Sequence, residues 1–310
     1  MPTARAIAKR LASVVRRVAE HAGVHVLPVH YYSPVPSLRE LRRTRATWAR
    51  KSELPGIETS LEAQERSLRA VVAPFAAEYA GNAAFRHATA REFGPGYGYV
   101  EAQALHGVVR HFRPRRVVEV GSGVSTSCIT AALAFNEREG APPCRVTCVE
   151  PAPSPALRTL RGVEILAAPV QTAPMELFRE LGERDLLFID STHTVKPGGD
   201  VNHLILEVLP RLRPGVVVHL HDIYLPYDHQ PDATDALFHW TETSLLRAFL
   251  IGNARARILF CLSQLHHERP DALRAVFPEY RPRPLPDGLA AGGRGESELH
   301  FPSSIYIEIR

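Results

Sequence analysis

The chain has 310 residues, 45% of them hydrophobic and 23% charged, which suits one large α/β domain plus an accessory segment and excludes a disordered or fibrous polymer. No apolar run reaches the roughly 18 residues of a membrane span, and Cys128, Cys144, Cys148 and Cys261 form no CxxC pair or metal spacing, so they read as reduced thiols of a cytoplasmic protein. The net charge of +4 is uneven: eleven Lys/Arg stand against only Glu20 and Glu40 before residue 52, and the rest of the chain is acidic.

In chain order, Ala4–Glu20 sets Ile7, Leu11, Val14, Val15 and Val18 on one helical stripe with arginines on the other faces. Packing or self-association is the leading reading of such a helix, a membrane-surface helix is an alternative, and a homo-oligomer built through this arm is one expectation. A targeting peptide is the weaker reading, because Ser and Thr are scarce. Three prolines exclude regular helix from His25–Pro36. Leu61, Leu68, Val71, Val72 and Phe75 predict a further helix, the glycine-rich Phe93–Tyr99 a flexible loop, and Leu105, Val108, Val109 and Phe112 the helix that follows it. Residues 1–92 thus read as a basic helical and extended arm, and residues 93–310 as the main domain.

From Arg116 the pattern changes to short apolar runs alternating with helical stripes. Strands are expected at Arg116–Val120, Arg145–Val149, Val163–Leu166, Leu186–Ile189, Val216–Leu220 and Ala256–Leu262. Helices are expected between them at Ser127–Phe135, Pro155–Leu160, Pro174–Leu181, Asp200–Leu209 and Thr243–Ile251. This alternation specifies βαβ units and a parallel sheet covered on both faces. Ser304–Arg310 alternates apolar and polar residues with no preceding crossover helix, so a seventh, antiparallel strand is expected. The Pro-, Arg- and Gly-rich stretch 265–300 reads as a variable insertion before it, mobile around Ala290–Gly295.

Glu119-Val-Gly-Ser-Gly-Val-Ser-Thr126 falls where the first strand turns into the first helix, where glycines admit a ligand to the backbone and to unpaired helix N–H groups. Glu150 ends the next strand, the position from which a carboxylate reaches both ribose hydroxyls of a nucleoside. Thr126 stands where a dinucleotide fold needs its third glycine, and Glu119 suits a ligand bearing an ammonium group better than a diphosphate. Together these favour S-adenosylmethionine over NAD.

The motifs EVGSGVST, CVEP, LLFIDSTH and VVVHLHDIY, in this order and spacing, resemble class I S-adenosylmethionine-dependent methyltransferases, and within them the group of bacterial sugar and natural-product O-methyltransferases. The resemblance covers roughly residues 93–262 and the last strand. It implies a Rossmann-like seven-stranded sheet, mostly parallel, with the final strand antiparallel. It further implies that Glu119, Gly121, Ser122, Gly123, Ser125 and Thr126 surround the methionine half of the cofactor, that Glu150 holds the ribose, that Gln171 lies near adenine, and that Asp190 borders the site.

Methyl transfer needs a positioned acceptor and a destination for its proton. His193, His221 and Asp190, at the ends of the fourth and fifth strands, are the candidate catalytic residues. Alternatively Asp190, His221 and Asp222 hold Mg²⁺ or another divalent cation, although relatives often carry two adjacent acids where this chain has His-Asp. His219 and His203 read as structural, and Asp200 as a helix cap. Leu225–Gln230 is expected to form an acceptor wall, and the Phe93–Tyr99 loop a lid with Tyr97 and Tyr99 on the ligands. The expected substrate is a small-molecule hydroxyl compound. Rivals are N- or C-methylation, a nucleic-acid acceptor, disfavoured by the arm's few aromatics, and a non-catalytic S-adenosylmethionine-binding assembly protein.

Overall fold

The structure, a computed structural model, describes residues 4–94, 96–230, 233–283 and 299–310, with side chains from Ser13 onward. Its contacts divide the chain into two compact units, Met1–Trp48 and Ala49–Arg310. In the smaller unit a helix spans Ala4–His21, and Val14, Val15 and Val18 of its apolar stripe stand exposed. A short helix, Leu38–Arg43, follows a non-helical stretch and is capped by the Ser37 hydroxyl, which accepts from the Glu40 N–H. Among the described residues no helix is long and apolar enough to cross a membrane.

The larger unit is built on one seven-stranded sheet in the order β3-β2-β1-β4-β5-β7-β6. The strands are β1 Arg116–Val120, β2 Arg145–Val149, β3 Val163–Leu166, β4 Leu186–Ile189, β5 Val217–His221, β6 Ala256–Cys261 and β7 Ser304–Ile309. Strands β1 to β5 pair in parallel, whereas β7 is antiparallel to both β5 and β6 and lies between them. The last strand therefore fills a gap inside the sheet, where both of its edges are paired. β5 runs one residue further than the sequence indicates, which makes His221 its last residue.

Because successive strand residues face opposite sides, each strand feeds two cores. Val117, Cys148, Phe188 and Tyr306 pack with Leu105 and Ile129 on one face. Val118, Val120, Leu187 and Leu220 pack with Leu204, Leu246 and Phe178 on the other. The helices Tyr99–Phe112 and Val124–Arg138 cover the first face, and the Leu61–Val71 helix joins the same core through Leu68 and Val71. Residues 49–92 thus belong to the larger unit.

Three local expectations differ from the structure. Pro155–Leu160 supplies only a single 3₁₀ turn, Leu157–Thr159, which ends at an extended Leu160 two residues before Gly162 turns the chain at φ +76°. Asp200–Leu209 starts as α-helix at Asp200–Asn202, widens to π geometry over His203–Val208 and ends as a 3₁₀ turn at Leu209–Arg211, where Pro210 has no N–H to give. The insertion read at 265–300 begins inside a helix, Leu262–Glu268, and a second follows at Pro270–Val276. The expected mobile stretch Ala290–Gly295 lies outside the described residues.

Candidate active site

Strand order reverses between β1 and β4, and their carboxyl ends open the crevice where ligands of such sheets bind. Two adjoining cavities occupy it, of about 320 and about 970 Å³, and they share Gly121, Glu150, Asp190 and Ser191. The smaller runs between Val149, Pro151, Val170 and Gln171. The larger passes Gly121–Ser125 and reaches His193, His221 and Asp222.

The β1 turn is shaped by close approach. Gly121 has φ +76°, and a Cβ there would lie 1.9 Å from the Asp190 carbonyl oxygen, so only glycine fits. Glu119 is fully buried beneath this turn and borders neither cavity. Its carboxylate accepts from Ser125 Oγ at 2.7 Å, Thr126 Oγ1 at 2.6 Å and Cys148 Sγ at 3.2 Å. Thr126 Oγ1 also accepts from the Gly123 N–H, so the residue in place of a third glycine ties the turn to the buried acid. Burial pushes the Glu119 carboxyl up to about 7 despite these three donors. Glu150, by contrast, is half-buried at the rim of both cavities and accepts from the Ser122 and Ala152 N–H groups.

The glycine-rich loop does not stand open. Gly94 packs against Gly123 closely enough that a Cβ on it would lie 3.3 Å from the Gly123 Cα, and Ser154 Oγ donates to the Phe93 carbonyl at 2.8 Å. Tyr97 is buried in the wall of the larger cavity, its hydroxyl 3.3 Å from His219 Nε2 and its ring 4.9 Å from that of His221. Tyr99 turns away and donates to Glu279 at 2.7 Å. The loop is thus fastened to the motif turn in this conformation, and of the two tyrosines only Tyr97 faces the ligand space.

At the ends of β4 and β5 four side chains converge. Asp190 Oδ1 lies 3.2 Å from His193 Nε2 and 3.3 Å from His221 Nδ1, and donor atoms of these three residues all fall within 4.8 Å of one another. Asp222 Oδ2 lies 3.6 Å from His193 Nε2 and 3.7 Å from His221 Nδ1. Each imidazole meets another carboxylate on its far side: His193 Nδ1 with Glu242 at 2.9 Å, and His221 Nε2 with Glu101 at 3.2 Å. Burial alone lowers an imidazole's pKa, but hydrogen bonds to Asp190 and Glu242 carry His193 up to about 10. His221 is likewise raised, against burial, by Asp222 and Asp190. Burial disfavours the Asp190 carboxylate too, yet His221 and His193 hold it well below its ordinary range. Both His193 (φ +57°) and Asp222 (φ +52°) adopt left-handed backbone, a strain that persists only where the surroundings impose it.

His219 packs against Phe188, Tyr306 and Tyr97 with burial lowering its pKa, and it borders neither cavity. Asp200 is the first residue of its helix, and Gly199 holds the cap position. Its carboxylate mainly fastens the β4 loop by accepting from the Thr192 N–H and hydroxyl. Leu225 and Tyr227 are buried, and no residue of Leu225–Gln230 borders either cavity. The outer wall comes instead from Tyr224, Trp240 and Phe301, with Tyr224 stacked at 7° to Phe301 and at 21° to Trp240.

Glu101 and Glu242 are the functional-site neighbours that sequence reasoning missed, and both left a signal. Glu101 lies on the stripe of Leu105 and Val108, and Glu242 on that of Leu246 and Leu250, each an acid where the helical period asks for an apolar residue. Both are buried.

Residues 118–223 match the family model described as "Methyltransferase domain". A protein of Archaeoglobus fulgidus described as uncharacterized is 28% identical over 166 residues, which is 50% of this chain and 73% of that one. Among solved structures, the chain is similar to the Podospora anserina methyltransferase PaMTH1 bound to S-adenosylhomocysteine (15% identity, TM-score 0.36, 76% of this chain and 93% of that one). It is similar also to a Bacillus cereus O-methyltransferase in complex with S-adenosylhomocysteine (16% identity, TM-score 0.38, 63% and 88%). A third is the Streptomyces achromogenes O-methyltransferase TomG of tomaymycin synthesis in complex with S-adenosylmethionine (17% identity, TM-score 0.36, 65% and 82%). The matched residues 118–223 run from β1 through the end of β5, so the part of the sheet that opens the crevice is the part similar to a methyltransferase domain, within a seven-stranded Rossmann-like α/β sheet whose last strand is antiparallel.

Proposed function

We propose that the protein transfers the sulfonium methyl of S-adenosylmethionine to a hydroxyl oxygen of a small molecule, of the sugar or natural-product kind. The observation that carries this reading is the continuity of the crevice from Glu150 and the glycine turn, past Asp190, to the cluster of His193, His221 and Asp222. Residues 93–310 form the proposed catalytic domain, residues 49–92 pack into its core, and residues 1–48 are the proposed extension. Four free cysteines, three of them buried, suit a cytoplasmic setting.

In this reading Glu150 accepts hydrogen bonds from the ribose hydroxyls, Gln171 and Val170 flank the adenine, and the Gly121–Ser125 turn receives the methionine end. Glu119 and Thr126 act from below by fixing the turn. An acceptor oxygen attacks the methyl carbon, the S–C electron pair returns to sulfur, and the oxygen's proton passes to the strand-end cluster. His193, His221 or Asp190 could take that proton directly. A divalent cation held by Asp190, His221 and Asp222, Mg²⁺ among the candidates, would instead lower the hydroxyl's pKa by its charge. The geometry favours the second route, because both nitrogens of each imidazole already face carboxylates and neither is left for an incoming proton.

Incubation with methyl-labelled S-adenosylmethionine and a panel of sugars, phenols and amines tests the proposal. Label appearing as a methyl ether on hydroxyl compounds is the expected result. Label found only on nitrogen, carbon or nucleic acid would overturn O-methylation, and binding without any turnover would favour a non-catalytic role.

A further inference from the structure

Resting on that reading, we infer that Asp190, His193 and His221 form a three-donor centre for a first-row transition dication such as Zn²⁺, Fe²⁺ or Co²⁺, with Asp222 beside it and magnesium disfavoured by the donor set. The sequence pattern alone suggested Asp190, His221 and Asp222; the fold brings His193 in as a ligand.

The inner atoms are Asp190 Oδ1, His193 Nε2 and His221 Nδ1: the carboxylate oxygen lies 3.2 and 3.3 Å from the two nitrogens, and donor atoms of the three residues all fall within 4.8 Å of one another. Ligands bound about 2.1 Å from a common tetrahedral ion are separated by about 3.4 Å, close to the two carboxylate–imidazole distances. Asp222 Oδ2 stands beside both nitrogens, at 3.6 and 3.7 Å, but outside that set. One carboxylate and two imidazoles offer one oxygen and two nitrogens. Imidazole selects zinc and the later first-row metals, whereas Mg²⁺ takes oxygen ligands and keeps several waters.

The next layer is also that of a metal site. A ligating histidine almost always gives its other ring N–H to a carboxylate or carbonyl, which fixes the tautomer and the ring orientation. Here both do so, His193 to Glu242 and His221 to Glu101. Those glutamates are only 1% and 3% exposed, a costly placement for a carboxylate that merely decorated a loop. The free oxygen of Asp222 is held in turn by Ser303 Oγ at 2.8 Å and the Tyr224 hydroxyl at 3.0 Å. The cluster opens on the larger cavity, so an acceptor hydroxyl has access to an open position on an ion held there.

The test is titration of the chelator-stripped full chain with Zn²⁺, Co²⁺ and Mg²⁺ by calorimetry, with the Co²⁺ visible spectrum as a second readout and S-adenosylhomocysteine titrated in parallel. One equivalent of Zn²⁺ or Co²⁺ is expected, with Mg²⁺ binding at least roughly 100-fold more weakly, and a Co²⁺ d–d band that shifts on His193→Ala. Glu242→Gln and Glu101→Gln should each weaken Zn²⁺ roughly 10- to 100-fold while leaving S-adenosylhomocysteine affinity unchanged. They keep the test decisive if His193→Ala fails to fold. Mg²⁺ binding as tightly as Zn²⁺, a Co²⁺ spectrum indifferent to His193→Ala, or Zn²⁺ affinity untouched by both glutamine variants would overturn the centre. Loss of S-adenosylhomocysteine binding by the unaltered chain would instead overturn the methyltransferase reading, with the metal titration still standing.

Discussion

The two halves of the crevice are made of different material. On the β1–β2 side the surface is built on a glycine turn in which Gly121 has no room for a Cβ, the start of the helix that follows, and a single rim carboxylate, Glu150. On the β4–β5 side it is a knot of ionisable side chains, two imidazoles among four carboxylates, with aromatic rings outside it. A cofactor common to many reactions is served by shape and main-chain groups, whereas a proton-releasing step needs charge held in a fixed place. The paired acids Glu119 and Glu150 restate the contrast within one half: the buried one builds the turn and the half-buried one stands at the rim of both cavities.

The largest effect expected from breaking this arrangement is that of Gly121→Ala. The added methyl collides with the Asp190 carbonyl on a backbone of φ +76°, so the turn and the β4 end must both shift. A loss of about 2–4 kcal/mol in denaturant unfolding, with S-adenosylhomocysteine binding abolished, is expected. Unchanged stability would mean that the two halves do not share this contact.

Glu119 gives the next largest effect, and it is pH-dependent. Its folded pKa of about 7 lies above the 4.5 of an ordinary glutamate, so between those values the folded state holds a proton that the unfolded state has lost. Its contribution to stability is therefore greatest below pH 4.5 and falls as pH rises to 7, by a few kcal/mol at most. Glu119→Gln should flatten that part of the profile for the ligand-free protein, read as the denaturation midpoint at pH 5 and pH 7.5. An identical slope in the variant would place the proton elsewhere.

The smallest expected effect belongs to the outer wall. Trp240 lies with its ring 4.7 Å from that of His193 and borders the larger cavity only. Trp240→Ala should raise the KM for the acceptor about tenfold with little change in S-adenosylhomocysteine affinity. Equal losses in both would mean that the wall serves the cofactor.

These halves were not equally readable in the chain. The turn, Glu150 and the strand ends follow from local pattern, because glycine spacing and alternation encode a strand–turn–helix unit within a dozen residues. So does the antiparallel last strand, since no crossover helix precedes it, although its place between β5 and β6 is a long-range fact. The β4–β5 half depends on elements far apart in sequence: Glu101 comes from the helix before β1 and Glu242 from the one before β6. Only their presence on apolar stripes announced them. Leu225–Gln230, expected as a wall from its nearness in sequence to Asp222, borders neither cavity, because nearness in sequence is a poor guide to nearness in space; the outer wall of the larger cavity is assembled from Tyr224, Trp240 and Phe301.

The central claim, that the glycine turn and the Glu150 rim grip an adenosyl ligand, is tested most directly by calorimetric titration of the full chain and of Glu150→Ala with S-adenosylhomocysteine. One site is predicted for the unaltered chain, weakened roughly 10- to 100-fold in the variant, as the loss of charge-assisted hydrogen bonds requires. Absence of binding heat in the unaltered chain, or equal affinity in both proteins, would contradict it.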